Sequence, residues 1–243
     1  MFLLGSVQAA APEAGGRFAH RNIHLVGAEA FDKKGGWALV CELKKQLESE
    51  GRKVYGFPSG GSNDVGTWGY VQAIAEVEQQ AEATGLKFDA VYFACGSGGT
   101  AAGLALGMRD STLGGELVGL CVDDTPQIFF DKIDGIFGDL GLGGLKTSSI
   151  LRLEDSVGLG YAASTTAELE YVRDVARATG VVLDPVYSGK AALGMVQDLK
   201  RTAAGRKRRV LFIHTGGLLG LYAKDDQLAP LLAGGWSNKT AAL

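Results

Sequence analysis

One glycine-rich stretch, FACGSGGTAAGL at residues 93–104, has the residue types and the spacing that suit anion chemistry. An apolar run, DAVYFA, precedes it, and a helical pattern follows. Glycines let a backbone approach a ligand closely, and the N–H groups of such a turn bind anions together with the positive end of the following helix. Two hydroxyl side chains add further donors. We therefore predict an anion-binding turn made of Gly96, Ser97, Gly98, Gly99 and Thr100. A tight turn that binds no ligand is the alternative.

The spacing of these glycines excludes two common nucleotide-binding loops. A Walker loop continues with Gly-Lys-Ser/Thr, which is missing here. A dinucleotide-binding loop reads G-x-G-x-x-G and has an acidic residue at a set distance, whereas this turn reads G-x-G-G without that acid. The expected phosphate therefore belongs to a ligand other than a nucleoside triphosphate or NAD.

Two further stretches place polar side chains at strand ends. DPVYSGKA puts Tyr187 and Ser188 after an apolar run, and HTGG puts Thr215 after another. Ligands of open α/β sheets collect at the carboxyl ends of the strands, so these side chains are candidates for the same site. Each has a structural alternative, since a tyrosine can cap a core and His214 can be a structural histidine. Lys190 falls in the first turn of a predicted helix, and we expect it to face solvent.

The composition limits the class of protein. The net charge of −3 argues against a nucleic-acid or anionic-membrane partner, and no apolar run approaches the length of a membrane span. The three cysteines form no CxxC pair, and the three histidines have no metal-ligand spacing. We expect an intracellular protein without a metal site or a disulfide framework. A cytoplasmic location and an organelle (mitochondrion or plastid) remain alternatives.

Apolar runs alternate with helical patterns along the chain. A capping box at Thr165 and Glu168 predicts the start of one helix. Continuous apolar strands between helices are typical of a parallel sheet that is covered on both faces. We therefore predict a three-layer α/β fold with a mostly parallel sheet. Strands are predicted at 22–26, 53–58, 89–94, 116–122 and 149–154 and at the starts of 181–199 and 209–217, and helices at 37–51, 70–85, 101–109 and 166–179 and at the end of 181–199.

Five ordered stretches resemble one enzyme family: GGSN-x-x-GTWGY, ACGSGGT-x-AG, GLGYA, LDPVYSGKA and LFIHTGGLLGLY. They are similar to the pyridoxal-phosphate-dependent D-cysteine desulfhydrases and 1-aminocyclopropane-1-carboxylate (ACC) deaminases. The resemblance runs from about Asn22 to about Trp236, and the last two stretches look most like the desulfhydrases of green plants. It implies the tryptophan synthase β-like fold, pyridoxal 5'-phosphate as cofactor, a small amino-acid substrate and a homodimer in full-length members.

The same resemblance implies roles for individual residues. Residues 96–100 would hold the cofactor phosphate, Tyr187 would lie near the pyridine ring and substrate, and Tyr161 would be a second active-site tyrosine. Ser62 and Asn63 would belong to the substrate loop. The deaminases typically carry Glu and Leu at the positions of Ser188 and Thr215. The Ser–Thr pair implies a milder electron sink and a desulfhydrase that releases sulfide, ammonia and pyruvate by β-elimination. Deaminase activity is the alternative.

The sequence departs from this family at its start. Members carry a long segment ahead of the matched region, with the Schiff-base lysine in an Asn-Lys context and a Ser-Asn-His stretch. We find neither of them ahead of the matched region, so we expect the Schiff-base lysine to be absent from this chain. We expect the chain alone to be inactive and hard to fold, because sheet edges would be exposed.

Three explanations stay open for this departure: a fragment or incomplete gene model, a non-catalytic relative that binds phosphate or cofactor, and a partner chain that supplies the missing half. In each case we expect the same division of the chain. Its parts would be a small-domain remnant at 1–57 with an unplaced start, a truncated cofactor-binding domain at 58–234 and a disordered tail at 235–243.

Overall fold

The computed structural model describes residues 2–8, 20–26, 35–202 and 207–232, the first two ranges by their backbone alone. The chain divides into two compact units, Met1–Gly61 and Ser62–Leu243. The tail predicted at 235–243 lies outside the described residues. Within the described residues, none of the helices has both the length and the apolar character needed to cross a membrane.

The first unit contains a hairpin and a helix. Strands β1 (Phe2–Gln8) and β2 (His20–Val26) pair antiparallel, with Phe2 opposite Val26. Helix α1 (Gly36–Ser49) follows. The strand predicted at 53–58 is wrong, because residues 52–58 have no regular structure. This segment packs on a helix instead of pairing with a strand: a Cβ on Gly56 would lie 3.3 Å from Cγ1 of Val40 in α1.

The second unit is built on a parallel four-stranded sheet of order β5-β4-β3-β6. Its strands are β3 (Ala90–Cys95), β4 (Glu116–Cys121), β5 (Arg152–Asp155) and β6 (Val210–Ile213). The strand predicted at 149–154 begins later, because residues 147–149 form a turn of 3-10 helix. The strand predicted at the start of 181–199 is wrong, since residues 181–184 are irregular.

Six helices accompany this sheet in the described part of the second unit. The helix that starts at the predicted capping box is confirmed: Thr165 and Glu168 bond each other's backbone N–H groups. Gly85, in the left-handed region, ends the helix before β3 as predicted. The helices are α2 (Asp64–Thr84), α3 (Gly99–Asp110), α4 (Pro126–Asp139), α5 (Thr166–Thr179), α6 (Ser188–Thr202) and α7 (Asp225–Leu232).

Helices cover both faces of the sheet, as predicted. Alternate residues of β3 point to opposite sides, so that Phe93 packs with helices α2, α3 and α4 while Tyr92 packs with α6. Both side chains are fully buried. Phe129 of α4 is fully buried in the first of these cores and Ala191 of α6 in the second. The predicted three-layer α/β architecture is therefore confirmed.

Helices α2 and α3 approach each other closely through glycines. Gly103 and Gly107 lie one turn apart on α3 and face α2. A Cβ on Gly107 would lie 2.7 Å from Cβ of Ile74, and one on Gly103 would collide with the backbone of Thr67 and the side chain of Tyr70. This contact fixes the start of α2 beside the start of α3, where the predicted anion-binding turn lies.

Candidate active site

The predicted anion-binding turn connects β3 to α3 at the carboxyl edge of the sheet. Gly98 precedes the first helical residue with φ = 96°, a conformation that favours glycine. A glycine has no side chain with which to cap a helix, so the first N–H groups of α3 depend on other partners. The turn therefore offers backbone donors at the positive end of a twelve-residue helix.

Ser62 is the neighbour that completes this turn. Its hydroxyl accepts a hydrogen bond from the N–H of Gly99 at 3.1 Å and lies 2.6 Å from the hydroxyl of Ser97. A Cβ on Gly99 would lie 2.9 Å from Cα of Ser62, so the approach requires glycine. The side chain of Asn63 caps helix α2, since its Oδ1 accepts a hydrogen bond from the N–H of Gly66 at 2.8 Å.

Two tyrosines lie beside the turn. The ring of Tyr187 covers Gly96, where a Cβ would lie 2.9 Å from its Cε1 atom. The hydroxyls of Tyr187 and Tyr161 are 2.6 Å apart, and their rings meet edge to face at 6.0 Å between centroids. Burial and the hydrogen bond with Tyr161 raise the pKa of Tyr187 well above its usual value. The hydroxyl of Tyr187 is therefore protonated at neutral pH and suited to donate a proton, not to remove one.

Asp184 organises the segment that carries Tyr187, and sequence reasoning missed it. The carboxylate is fully buried and accepts from the N–H groups of Val186, Tyr187 and Ser188 at 2.8, 2.6 and 2.7 Å. Its Oδ2 also accepts from the hydroxyl of Ser188 at 2.5 Å. The signal was present in the sequence, because an aspartate a few residues before a helix is a common capping residue.

The two predicted specificity residues occupy different environments. Ser188 is 1% exposed, and its hydroxyl donates to Asp184 and accepts from the N–H of Asp184. Thr215 is exposed in the turn after β6. That turn meets Asp184 two residues later, since a Cβ on Gly217 would lie 2.9 Å from Cγ of Asp184. The structure thus brings the segment at 184–188 and the turn after β6 together.

His214 has backbone partners at both ring nitrogens. Nδ1 accepts from the N–H of Gly216 at 3.1 Å, so Nε2 carries the proton and donates to the carbonyl of Val182 at 3.0 Å. This arrangement fits the structural alternative, in which the imidazole fixes the turn that carries Thr215.

The expectation that Lys190 faces solvent is wrong. Lys190 is 2% exposed, and its Nζ donates to the carbonyls of Val157 and Gly160 at 2.5 and 2.8 Å. Burial lowers its pKa. The first turn of α6 packs inward against the loop before α5, and residue spacing alone did not show that this loop lies there.

A model of the family described as pyridoxal-phosphate dependent enzymes matches residues 11–216. The chain belongs to this family. Pyridoxal phosphate is the cofactor of the family, and the site fits its phosphate group on structural grounds. Backbone N–H groups and the hydroxyls of Ser97 and Thr100 lie at the positive end of α3, where Gly98 turns the backbone with φ = 96°.

Relatives in this family agree with the resemblance seen in the sequence. The chain is 46% identical over 225 residues to an Arabidopsis thaliana protein named bifunctional D-cysteine desulfhydrase/ACC deaminase, mitochondrial. That match covers 91% of this chain and 56% of the relative. The chain therefore spans little more than half the length of this relative.

Solved structures agree on the fold. A crystal structure described as an ACC deaminase homologue superimposes with a TM-score of 0.72 at 35% identity, over 86% of this chain and 61% of that one. An O-ureido-L-serine synthase superimposes with a TM-score of 0.52 at 17% identity, over 89% of this chain and 63% of that one. The chain thus has the tryptophan synthase β-like fold that the sequence predicted.

Proposed function

We propose that this chain is the cofactor-binding part of a pyridoxal-phosphate-dependent lyase that releases sulfide, ammonia and pyruvate from D-cysteine or a similar amino acid. The observation that carries the proposal is the contact between the glycine turn and the tyrosine pair, because Tyr187 lies on Gly96 and shares a 2.6 Å hydrogen bond with Tyr161. The cofactor-binding domain would span 58–234, after a small-domain remnant at 1–57, and homodimers are expected of the full-length protein.

The turn at the start of α3 would bind the cofactor phosphate. The N–H groups of Thr100 and Ala101 and the hydroxyls of Ser97 and Thr100 would be the donors, and the helix dipole favours an anion there. Ser62 holds the turn through Gly99 and lies against Ser97. Bound pyridoxal phosphate supplies the electron sink that allows bonds at the α-carbon of an amino acid to break.

The tyrosine pair would provide the proton that a leaving sulfur group requires. The raised pKa of Tyr187, caused by burial and by Tyr161, keeps its hydroxyl protonated at neutral pH. Tyr187 is half-buried and Tyr161 is 54% exposed, so the pair connects the interior of the site with its solvent side. Tyr187 would present the proton to the substrate, and Tyr161 would restore it.

Ser188 and Thr215 would set the electronic character of the site. Both are neutral hydroxyls, and the proton of Ser188 is already bonded to Asp184. The pyridine ring withdraws less charge when the partner of its nitrogen is a neutral hydroxyl than when a glutamate keeps that nitrogen protonated. The milder electron sink is sufficient for the loss of a good sulfur leaving group. It therefore favours desulfhydrase over deaminase activity.

The 243 residues by themselves would bind the cofactor without turnover. The resemblance places the Schiff-base lysine in a segment ahead of the matched region, and the lysine next to Ser188 is engaged with two carbonyls. Binding of phosphate or cofactor without catalysis is the second candidate function. The anion-binding turn, which the hydrogen bond from Gly99 to Ser62 holds in shape, favours this second function for the chain in isolation.

Binding of pyridoxal phosphate to residues 1–243 tests the first step. We expect saturable binding, followed by absorbance and equilibrium dialysis, that inorganic phosphate competes away. Gly98→Val should abolish it, because φ is 96° there. Gly141→Val is the matched control, since Gly141 also has a positive φ, of 77°, but no atom within 4 Å of its added Cβ. Equal binding by wild type and Gly98→Val would reject the site.

A chimera tests the reaction. The segment of the Arabidopsis thaliana relative that precedes the matched region is joined ahead of Asn22, and sulfide and pyruvate are measured with D-cysteine. We expect release of both from the chimera and from neither part alone. Cofactor binding without release of either product by the chimera would leave the non-catalytic function.

The same chimera separates the two enzymatic alternatives. Ammonia release from ACC is measured beside sulfide release from D-cysteine. We expect the D-cysteine reaction to dominate, and Ser188→Glu with Thr215→Leu to shift the ratio toward ACC. A dominant ACC reaction in the unsubstituted chimera would assign the deaminase instead.

A further inference from the structure

Lys190 is a buried charged group that the proposed reaction does not use. It lies in the first turn of α6, two residues after Ser188, and is 2% exposed. An ammonium group in such a place requires acceptors, because an unpaired buried charge is costly. Both acceptors found for it, the carbonyls of Val157 and Gly160, belong to one loop. That loop carries Tyr161.

Beside Lys190, two further side chains bond this segment: Asp155 accepts from the N–H of Val157 at 2.9 Å, and Lys224 donates to the carbonyl of Ala162 at 2.6 Å. The N–H of Gly160 donates to the carbonyl of Val157, and the N–H of Ala163 to the carbonyl of Gly160, both at a long 3.2 Å. These are the same two carbonyls that receive Lys190. Ala162 has φ = 54°, an uncommon conformation for a residue with a side chain. Leu159 is 68% exposed and Tyr161 is 54% exposed, so apolar burial contributes little.

We propose that Lys190 is a positioning residue that holds the 157–161 loop so that the hydroxyl of Tyr161 meets that of Tyr187. The proposal rests on the proposed function for its catalytic meaning, but its geometry stands independently. From α6, Lys190 fixes the loop that carries one tyrosine, while Tyr187 lies three residues before it in the chain. One short segment therefore sets both members of the pair.

Neighbouring charges are consistent with this role. Glu168 of α5 attracts the ammonium group, whereas Lys224, which donates to the carbonyl of Ala162 at 2.6 Å, repels it. A neutral amine still has two N–H groups for the two carbonyls. The loop should therefore remain in place even where Lys190 loses its proton, and replacement of the side chain is the informative change.

Lys190→Met tests the proposal, because methionine keeps the length of the side chain and removes every donor. Amide exchange in residues 1–243 is followed by NMR. We expect the Gly160 and Ala163 amides to exchange about tenfold faster or more, the scale of one lost charged hydrogen bond, while the amides of β3 keep their rates. Lys200→Met is the matched control, with the same substitution on the exposed side of the same helix. Loop exchange equal to that of the control would overturn the proposal.

The ionisation of Tyr187 separates positioning from a general loss of packing. If Lys190→Met releases Tyr161, the pKa of Tyr187 falls, as it should in Tyr161→Phe. The double variant Lys190→Met/Tyr161→Phe should then match Tyr161→Phe alone, since the second change has no hydroxyl left to displace. Additive shifts would contradict the proposal. Neither readout depends on turnover, so a failure here is distinct from a failure of the proposed lyase function.

The unmodified chain provides a measurement if Lys190→Met does not fold. With ¹⁵N-labelled lysine, the Nζ protons of Lys190 should exchange slowly and give contacts to the protons of residues 157–161. A signal averaged with solvent, like that expected for Lys200, would overturn the proposal.

Discussion

The backbone N–H of Gly99 donates to the hydroxyl of Ser62 across 37 positions of the sequence. This single contact joins the start of α2 to the start of α3 and gives the anion-binding turn its shape. Because the backbone of Ser62 lies within 2.9 Å of where a Cβ on Gly99 would be, the two segments cannot separate or tilt without changing the turn.

Gly99→Ala should therefore weaken both the fold and the site. The added methyl group has to displace the backbone of Ser62, which costs about 1–3 kcal/mol of unfolding free energy. The affinity for pyridoxal phosphate should fall as well, by at least the same free energy. Gly135→Ala, in a helix with no atom within 4 Å of the new Cβ, should instead stabilise by about 0.5–1 kcal/mol. Urea unfolding and dialysis measure the two effects, and a neutral Gly99→Ala would show that the turn is not tightly held.

Tyr161→Phe should lower the pKa of Tyr187. Burial keeps that pKa above its ordinary value of 10.0, and the lost hydrogen bond removes the second cause of the increase. The raised pKa contributes stability that is fully present below pH 10 and is lost as the pH rises further. Tyr161→Phe should therefore begin to lose stability at a lower alkaline pH than wild type. Absorbance titration of tyrosinate measures the shift. Tyr222→Phe, at an 82% exposed position, is the control, and an unchanged Tyr187 titration in Tyr161→Phe would argue against the hydroxyl contact.

The sequence predicted those parts of the fold that local rules decide. The capping box at Thr165 and the end of α2 at Gly85 follow from side chains and glycines within one helical turn. The strands predicted at 53–58 and at the start of 181–199 are wrong because apolar composition does not show whether a neighbouring strand is present. A strand requires hydrogen-bond partners that are distant in sequence.

The candidate site shows the same division between local and distant information. Residue types identified the turn at 96–100 and the tyrosines, since these carry recognisable chemistry. The residues that hold them were not identified: Asp184 acts through buried backbone N–H groups, and Lys190 reaches a loop 30 or more positions earlier. Supporting contacts of this kind depend on which surfaces pack together, and no pattern of spacing encodes that.

Asp134 should make stability depend on acid. Hydrogen bonds from Lys146 and Thr147 lower its pKa from 3.8 to about 2. The contribution is therefore present above pH 3.8 and disappears as the pH falls toward 2, and partial exposure limits it to about 1 kcal/mol. The stability difference between wild type and Asp134→Asn should accordingly shrink between pH 5 and pH 2. A difference that does not change with pH would refute the assignment.

Asp184→Asn should open the segment that carries Tyr187 and Ser188. An amide keeps the shape but offers one oxygen where the carboxylate uses two to accept four hydrogen bonds. Leaving buried donors unpaired costs about 1–3 kcal/mol, so urea unfolding should shift by that amount, and amide exchange at Val186, Tyr187 and Ser188 should accelerate. Asp174→Asn, at a solvent-exposed ion pair, should leave both unchanged. Because the same carboxylate lies close to Gly217, the turn with Thr215 should loosen as well. Loosening confined to residues 184–188 would show that this segment and the turn after β6 are held independently.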